Sequence, residues 1–550
     1  MASLAGSSPK PTIAFIGFMG AGKTRAAKGA AAVLGERATD VDAQIELEFG
    51  KPVAEVFASE GEARFREVEE RLALEALGAG GLVSLGGGAV ESERVREALA
   101  GCFTVWCRIS EDAAWRRCEG TERPLAQDRD AFAQRFEARQ PFYESLARAV
   151  LTDGGERVGR LAAPWLRGAA ALEGARLAWA SSASGEYPAI VADGALGLLD
   201  DAGKRPTMHA VGDSAGRFAP RRWFCIADPG ALAHQGSRLP RVETTIEAGG
   251  DESLKTVGEA ERVLRELARA GARRDDGVLA LGGGVVGDLA GFCAATYQRG
   301  VPVVQAPTTL VAQVDSAYGG KTGVDLPEAK NYVGAYHMPK AVLAEPGALE
   351  TLPSEELAAG FAEVLKTALI AGGSLWERVR ALEPTQTSDA PPHSEGRGTF
   401  AVSAELRAVV FDCARTKIDI VAEDERDSGR RQILNLGHTV GHAIEAASGY
   451  GRYRHGEAVA LGLLAALRLS EAEALTEETK EILGRHGLPS TLDPGIDTEA
   501  IMAAVLRDKK ADAEGVPFVL LERPGEPVAG QHLGADMVRA AVEELRSEKS

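Results

Sequence analysis

Short apolar runs alternate with helical patterns over the first part of the chain. The runs TIAFIGF, GLVSLGG and FTVWCRI have the length of strands, and the segments between them repeat apolar positions at helical spacing. This alternation predicts a parallel α/β domain over residues 12–155. Residues 156–186 are rich in Ala, Gly and Ser and end in ASSASGEY, which predicts a helical tail followed by a linker.

A second alternation of strands and helices begins at YPAIVAD and continues through RWFCIAD, GVLALGGG and VPVVQAP. It predicts a second α/β domain over residues 187–350. From residue 351 to residue 550 strand signals nearly vanish, so a mostly helical domain is predicted there. The polar stretch 383–398 inside it is rich in Pro and Ser, which predicts a disordered loop.

Composition and charge narrow the classes of function. The chain has 550 residues, which is too long for one core, and its net charge of −18 argues against a nucleic-acid or membrane-surface partner. No apolar run is long enough to span a membrane, and the apolar start leads straight into a glycine loop, unlike a signal peptide. The six cysteines show no paired spacing, which predicts reduced thiols in a cytoplasmic protein.

The first candidate site is the glycine-rich segment IAFIGFMGAGKT, in which a strand leads into a helix. Gly20 and Gly22 allow backbone amides to curl around phosphate oxygens, and the helix N-terminus adds its dipole. Lys23 is expected to reach the β- and γ-phosphates, and the Thr24 hydroxyl is expected to hold Mg²⁺. The motif predicts that ATP and Mg²⁺ bind here, but it does not identify the acceptor.

The acceptor is indicated by TDVDAQIE, GEARFREVE, SLGGGAV, ERPL and ARQPFYESLA, which follow in this order. Together they resemble shikimate kinase across residues 12–153. The resemblance implies that Asp40 lies near Mg²⁺ and Asp42 binds a shikimate hydroxyl. It implies that Arg66 and Arg139 grip the shikimate carboxylate, a task suited to guanidinium. It also implies that the backbone of Gly86, Gly87 and Gly88 contacts the ring. It further implies that Arg123 closes over the transferred phosphate and that Arg116 stacks on adenine.

The second candidate site is a histidine-rich stretch, NLGHTVGHAIEAASGYGRYRHGEA, at residues 435–458. His438 and His442 are four residues apart and therefore share one face of a helix, and His455 follows a turn that can return to it. The stretch lacks the Glu of the zinc-protease pattern H-E-x-x-H. By themselves these residues leave open whether a metal binds and which chemistry it serves.

The surrounding segments answer both questions. VLALGGGVVGDLAGFCAATYQRG, QAPTTLVAQVDSAYGGKTGVD, AKNYVGAYHMPKAVL and ETLPSEELAAGFAEVLKTALI, together with the histidine stretch, resemble 3-dehydroquinate synthase from about residue 187 to the end. The resemblance implies Zn²⁺, with Co²⁺ as a possible substitute, held by Glu363, His438 and His455. Three protein ligands leave a position open for substrate. His442 is then a neighbouring acid/base or phosphate-contacting group.

The resemblance also implies that residues 187–350 bind NAD⁺, and it assigns the remaining site positions. The cofactor positions are Asp228, Glu252, Lys255, Gly283, Gly284, Asp288, Thr308 and Thr309. The substrate positions are Arg299, Asp315, Lys321, Asn331, Lys366, Lys417, Arg431, Asn435 and one of Lys509 and Lys510. In the family dimer Arg299 can serve the neighbouring subunit, so a homodimer is expected. One departure is Asp427, where the family usually has Glu.

The two resemblances predict a bifunctional enzyme of the shikimate pathway that catalyses two non-consecutive steps. One step phosphorylates shikimate with ATP, and the other converts 3-deoxy-D-arabino-heptulosonate 7-phosphate to 3-dehydroquinate and phosphate with catalytic NAD⁺. Two alternatives remain. The C-terminal half could act on another sugar phosphate, against which Lys321, Asn331 and Arg431 argue. One half could be an inactive binding module, against which the presence of Lys23, Asp42, Glu363 and His438 argues.

Overall fold

The structure is a computed structural model that describes residues 10–121, 124–152, 154–200, 220–384, 401–507 and 516–546. Arg123, Lys509, Lys510 and residues 385–398 of the predicted loop lie outside the described residues. The chain divides into two compact units. Unit 1 comprises Met1–Ser181 and Glu186–Pro220, and unit 2 comprises Ser182–Gly185 and Arg221–Ser550.

The sheet of unit 1 has the strand order β2-β3-β1-β4-β5-β6-β7, and its first six strands are parallel. The strand β1 is buried along its whole length, as expected for a central strand covered on both faces. The strands are β1 Ile13–Ile16, β2 Ala38–Asp40, β3 Leu82–Ser84, β4 Phe103–Arg108, β5 Ala149–Thr152, β6 Arg176–Ser182 and β7 Gly185–Val191.

Seven α-helices accompany this sheet in the described residues of unit 1. They are α1 Lys23–Leu34, α2 Val41–Phe49, α3 Val53–Ala79, α4 Glu93–Ala100, α5 Glu111–Cys118, α6 Arg129–Leu146 and α7 Glu156–Ala170. Side chains that accept a hydrogen bond from a backbone amide start three of them: Ser92 caps α4, Ser110 caps α5 and Asp128 caps α6. The helix α3 is interrupted at Gly61, where φ is 80°.

The prediction of a helical tail and then a linker over residues 156–186 is correct for the helix, which is α7, and wrong for the linker. The segment contains α7, β6 and the start of β7, so the domain boundary predicted at residue 187 falls inside a strand. In β6 the side chains of Leu177, Ala178 and Trp179 are buried, and Leu177 pairs with Ala149 of β5. The sequence pattern concealed this strand because its apolar run is short and is flanked by the small residues that usually mark loops.

Replacing Leu177 by alanine should destabilise the folded chain by about 2–5 kcal/mol, because it leaves a cavity in a packed sheet. The Leu177 side chain is fully buried, whereas a linker side chain would be solvated. The measurement is the urea midpoint of the unfolding transition of the full chain. Ala183→Ser, in the exposed turn between β6 and β7, is the control. Equal midpoints for the two variants would contradict the burial of β6.

Unit 2 contains a parallel sheet with the order β14-β11-β10-β8-β9 and two antiparallel hairpins, β12-β13 and β15-β16. Its central strand β10 is buried at all six residues. The strands are β8 Trp223–Ala227, β9 Thr244–Glu247, β10 Gly277–Gly282, β11 Val303–Pro307, β12 Lys321–Leu326, β13 Ala329–Tyr336, β14 Ala341–Ala344, β15 Pro517–Leu521 and β16 Pro527–His532.

The part of unit 2 that follows β14 is mostly helical, which confirms the predicted order of an α/β region and then a helical region. The hairpin β15-β16 is an addition that the periodicity did not reveal. The helices of unit 2 are Pro229–Gln235, Val257–Arg269, Gly284–Thr296, Ser354–Ala371, Gly373–Ala381, Ala404–Glu423, His438–Ala447, His455–Leu469, Glu473–Arg485, Thr498–Val505 and Ala535–Glu544. Within the described part of the chain, none of the helices is both long and apolar enough to cross a membrane.

Candidate active sites

An open cavity of about 1150 Å³ lies in unit 1 beside the phosphate loop. It brings together side chains and glycines that are far apart in the sequence. The predicted site residues that line it are Gly20, Gly22, Lys23, Thr24, Asp42, Arg66, Gly87, Gly88 and Arg139. The cavity therefore joins the predicted phosphate-binding groups and the predicted acceptor-binding groups in one space.

The phosphate loop has the backbone that its glycines predict. Gly20 and Gly22 have φ values of 79° and 81°, which residues with a side chain rarely adopt. The buried Lys23 donates a hydrogen bond from Nζ to the carbonyl oxygen of Phe18 at 3.2 Å, so its ammonium group lies over the loop. The Thr24 hydroxyl is 3.3 Å from the hydroxyl of Ser84. The amides, ammonium and hydroxyl are suited to a nucleotide phosphate with its magnesium ion.

Asp40 lies close to this hydroxyl pair without lining the cavity. It is the last residue of β2, where it pairs in register with Ser84 of β3. Because Ser84 contacts Thr24, Asp40 lies near the hydroxyl that is predicted to hold Mg²⁺. Asp40 also occupies the position before the first residue of α2, where a carboxylate is favoured by the helix dipole.

The acceptor side of the cavity contains two arginines among acidic neighbours. Arg66 Nη1 is 2.6 Å from Glu69 Oε2, and Arg139 Nε donates to Glu91 Oε1 at 2.9 Å. Burial raises the pKa of Glu69, although Arg66 opposes the shift. Gly86, which is predicted to contact the ring, leaves room for the Asp42 side chain, because a Cβ on Gly86 would lie 3.0 Å from Asp42 Oδ1. The two guanidinium groups and Asp42 thus face one region, as a hydroxylated carboxylic acid would require.

The arginine of α5 that lines the cavity is not the one predicted to stack on adenine. The structure places Arg117, not the predicted Arg116, on the cavity, and Arg117 Nη1 donates to the carbonyl oxygen of Gly20 at 3.1 Å. Both residues belong to the helix α5. Consecutive residues on a helix point in directions about 100° apart, so only one of the two faces the loop.

In unit 2 the carboxyl ends of the parallel strands form the edge where a nucleotide is expected. Asp228 follows β8, Gly283 follows β10 and Thr308 follows β11. Gly283 precedes the helix that begins at Gly284, and a Cβ on Gly283 would lie 2.9 Å from Thr309 Cγ2. The backbone here can approach a pyrophosphate closely, at a helix N-terminus that favours negative charge.

A charged cluster lies beside this edge. The buried Lys255 Nζ is 3.0 Å from Glu252 Oε1 and 3.4 Å from Asp288 Oδ2. Burial raises the pKa of Asp288 to about 6, even though Lys255 favours its ionised form. Asp228 accepts hydrogen bonds from the backbone amides of Ala231 and Gly250 at 2.9 and 3.0 Å. The structure therefore brings together Glu252, Lys255 and Asp288 and anchors Asp228 at the strand end.

The predicted metal ligands converge from three helices. Glu363 Oε1 is 3.4 Å from His438 Nε2 and 3.3 Å from His455 Nε2. The side chain of Glu363 is only 1% exposed, so its charge needs partners. Burial alone would raise the pKa of Glu363, but Lys366 and the two histidines hold it well below its usual value.

The other ring nitrogens show that this donor set fits a metal. His438 Nδ1 is 3.2 Å from the carbonyl oxygen of Leu436, and His455 Nδ1 is 3.4 Å from Glu445 Oε2. If each Nδ1 carries the hydrogen that these oxygens accept, each Nε2 presents a lone pair towards Glu363. One carboxylate oxygen and two imidazole nitrogens form a ligand set that zinc accepts.

His442 lies beside this set. Nitrogen atoms of His438, His442 and His455 lie within 4.8 Å of one another, and the rings of His438 and His442 are 5.2 Å apart. His442 is exposed, whereas the other two are partly buried. The three nitrogen atoms are close enough to hold one metal ion together, so the division in which His442 is a neighbour rather than a ligand stays a prediction.

Two lysines and an aspartate connect the metal ligands to the rest of the site. Lys366 Nζ is 2.5 Å from Glu363 Oε2 and 3.4 Å from Asp315 Oδ1. Lys417 Nζ is 2.9 Å from Asp315 Oδ2. Burial lowers the pKa of Lys417 to about 8, although Asp315 opposes the shift. Both ammonium groups are therefore paired with carboxylates, and they lie beside the predicted metal ligands at positions predicted to bind substrate.

The loop that contains Asp427 contacts the start of β12. Asp427 Oδ2 is 2.5 Å from Lys321 Nζ, so the shorter carboxylate still reaches a lysine that is predicted to bind substrate. Its φ is 62°, a backbone conformation that Asp adopts more readily than most residues. Arg431 donates from Nη1 to the carbonyl oxygen of Glu425 at 2.6 Å, and Asn435 donates to Gln432. These two predicted substrate residues therefore also contact backbone carbonyls.

Arg299 and Asn331 are two predicted substrate residues that lie on the surface of the described chain. Both are exposed and have positive φ values of 66° and 52°. Among the described residues, no hydrogen bond or ion pair joins either side chain to the cluster around Glu363. For Arg299 this agrees with the expectation that it serves a neighbouring subunit.

Sequence reasoning missed three groups. Glu445 contacts His455, Glu69 contacts Arg66, and Arg117 faces the phosphate loop. A signal existed for Glu445, because it follows His438 by seven residues and His442 by three and so shares their helix face. A signal also existed for Glu69, because it follows Arg66 by three residues on α3. The position of Arg117 depends on how α5 is rotated against its neighbours, which the sequence does not show directly.

Both units of the chain match known protein families. A shikimate kinase family model matches residues 19–167, and models of the N-terminal and C-terminal parts of 3-dehydroquinate synthase match residues 244–359 and 360–511. The chain is 40% identical over 369 residues to 3-dehydroquinate synthase of Symbiobacterium thermophilum, an alignment that covers 66% of this chain and 98% of that protein. It is 43% identical over 282 residues to the enzyme of that name from Synechococcus sp., covering 50% and 73%.

A solved structure agrees with the fold. The chain resembles 2-epi-5-epi-valiolone synthase of Streptomyces hygroscopicus subsp. jinggangensis, determined with NAD⁺ and Zn²⁺ bound, at 25% identity and a TM-score of 0.52. The match covers 59% of this chain and 90% of that one. The chain therefore belongs to the 3-dehydroquinate synthase family, and its N-terminal part is a shikimate kinase domain.

Proposed function

We propose that unit 1 phosphorylates shikimate to shikimate 3-phosphate with ATP and Mg²⁺, and that unit 2 converts 3-deoxy-D-arabino-heptulosonate 7-phosphate to 3-dehydroquinate and phosphate with NAD⁺ and Zn²⁺. The observation that carries the proposal is the convergence of Glu363, His438 and His455. These residues lie on three different helices, yet two imidazole Nε2 atoms meet one carboxylate oxygen. The same convergence of distant residues occurs around the cavity of unit 1.

In the kinase reaction the side chains position and neutralise the reacting groups, which is most of what phosphoryl transfer requires. Lys23 and the loop amides would hold the β- and γ-phosphates, and Thr24 would hold the magnesium ion, with Asp40 nearby. Arg66 and Arg139 bind the acceptor carboxylate. Asp42 accepts a hydrogen bond from an acceptor hydroxyl, which keeps the ring oriented towards the phosphate.

In the synthase reaction, bound NAD⁺ and Zn²⁺ would supply a temporary oxidation of one hydroxyl and polarisation of its oxygen. The residues of the chain bind and orient the substrate. Lys366 and Lys417 contribute positive charge beside the metal ligands, and Lys321 extends this charge towards the loop of Asp427. His442 stands near the ligands with a nitrogen able to accept or donate a proton.

The specific substrate of unit 2 is part of the proposal, since the solved neighbour with NAD⁺ and Zn²⁺ bound is a different synthase. The sequence relatives at about 40% identity are named 3-dehydroquinate synthase, which favours the heptulosonate phosphate. The assignment is tested by comparing kcat/KM for the heptulosonate phosphate with kcat/KM for a sugar phosphate that has no carboxylate. Higher kcat/KM for that compound than for the heptulosonate would refute the assignment.

The proposal as a whole is tested on one purified chain. Both reactions should be measurable on the same preparation, and metal analysis should find about one zinc per chain. Kinase turnover without synthase turnover in zinc- and NAD⁺-replete protein would refute the proposed function of unit 2. The opposite result would refute the proposed function of unit 1.

Replacing Glu445 by glutamine should weaken zinc binding by about 10–100-fold, the usual effect of losing a group that orients a ligand. The carboxylate holds His455 through Nδ1, and an amide would accept this hydrogen bond less strongly. Zinc affinity is measured by competition with a chelator. The exposed Glu481→Gln provides a control with the same loss of charge. Equal affinities in the two variants would exclude this role for Glu445.

We also propose a cytoplasmic homodimer that forms through unit 2. The exposed Arg299, which lies apart from its own site, supports a role in a neighbouring subunit. The six cysteines are free and buried thiols, which supports a reducing compartment. Sedimentation of the full chain at several concentrations tests the oligomeric state, and a monomer at all concentrations would contradict it.

A further inference from the structure

Both arginines that are proposed to bind the acceptor contact a carboxylate that the proposed reaction does not use. Glu91 ends a short 3₁₀ turn, Ala89–Glu91, immediately after the glycine run Gly86–Gly88. Its Oε1 accepts a hydrogen bond from Arg139 Nε at 2.9 Å, and its Oε2 is 3.8 Å from Arg66 Nη2. One carboxyl group thus lies between the two arginines that are proposed to bind the acceptor carboxylate.

The side chains of the two arginines are more buried and have more contacts than the side chain of Glu91. The side chain of Arg139 is 2% exposed and its guanidinium lies 5.7 Å from the centre of the Phe18 ring. Arg66 is paired with the buried Glu69 and lies against the backbone of Gly88. The side chain of Glu91 is 43% exposed. Glu91 is therefore the member of this group that can turn into solvent at low cost.

Glu69 does not play the same part. It is 3% exposed, lies on α3 three residues after Arg66 and lines the cavity, and its ion pair holds that guanidinium in place. Glu91 approaches from the turn after the glycines and contacts both guanidinium groups. A carboxylate that bridges two arginines reproduces the contacts expected of the carboxylate of a bound acceptor.

We propose that Glu91 occupies the acceptor-carboxylate position of unit 1 when no acceptor is bound, and that the acceptor must displace it. This inference rests on the proposed kinase function. Glu91 is then a specificity-determining residue: it keeps the two arginines paired in the free enzyme and raises the acceptor concentration needed for turnover. A ligand without a carboxylate gains nothing from displacing it, since it cannot replace the lost ion pairs.

The test compares Glu91→Gln with the wild-type chain in shikimate phosphorylation. KM for shikimate should fall by about two- to fivefold, the size expected for removing a competing, partly exposed ion pair. The kcat value should stay within about twofold, because the competition acts on binding rather than on the transition state. Glu93→Gln is the matched control, with the same loss of charge two residues away on exposed surface.

A second arm uses the carboxamide of shikimate as a binding probe, with Kd measured by calorimetry. Glu91→Gln should strengthen binding of shikimate by more than it strengthens binding of the carboxamide, because loss of the negative charge favours only the anionic ligand. An unchanged or raised KM for shikimate would overturn the inference, and so would an equal fall in Glu93→Gln. Absence of shikimate phosphorylation by the wild-type chain would instead refute the proposed kinase function, so the two failures are distinguishable.

Discussion

Replacing His438 by alanine is expected to remove zinc from the chain and to lower synthase turnover by about a thousandfold or more. The reason is that the remaining donors, Glu363 and His455, leave too few ligands for a stable tetrahedral site. Metal content is measured after dialysis, and both activities are assayed on the same preparation. Kinase activity should be unchanged, because the residues proposed for it all lie in unit 1.

His442 supplies the decisive comparison for this ligand assignment. His442→Ala should retain zinc while losing activity, since the proposed role of this residue is proton transfer beside the metal. His234→Ala, on an exposed helix end, should change neither quantity. Zinc retained in His438→Ala and lost in His442→Ala would show that the ligands are assigned incorrectly, although all three rings lie close together.

Replacing Lys23 by alanine is expected to lower kcat/KM for shikimate phosphorylation by about 10²–10³-fold. The ammonium group is held over the phosphate loop and would neutralise charge that develops on the transferred phosphate. Synthase activity should remain unchanged. The exposed Lys28→Ala on the same helix is the control, and it should retain both activities. A large loss of both activities in a folded Lys23→Ala protein would contradict separate sites.

The sequence alone was sufficient for the class of fold, and it predicted the residues of the two candidate sites. The glycine loop, the paired histidines and the strand–helix alternation are local patterns whose meaning depends on nearby residues and backbone periodicity. Glu363, His438 and His455 were identified through their segments, and the structure brings the three together. Lys366, Asp315 and Lys417 likewise form one cluster.

Other features depended on packing between residues far apart in the sequence. The strand β6 resembles a linker in composition, and only its pairing with β5 and its buried side chains identify it as part of a sheet. Similarly, the rotation of α5 decides that Arg117 faces the loop, and Glu445 acquires a role only because His455 lies against it.

Glu91 shows most clearly the difference between what local sequence patterns predict and what tertiary packing decides. In the sequence it is one of many surface acids on a short turn, and nothing local distinguishes it from Glu93. Its position between Arg66 and Arg139 arises because α3, α6 and the glycine turn meet at one end of the sheet. Local interactions along the chain determined the elements and the chemical groups, whereas the partner of each charged side chain was decided by tertiary packing, since ion pairing depends on distance in space.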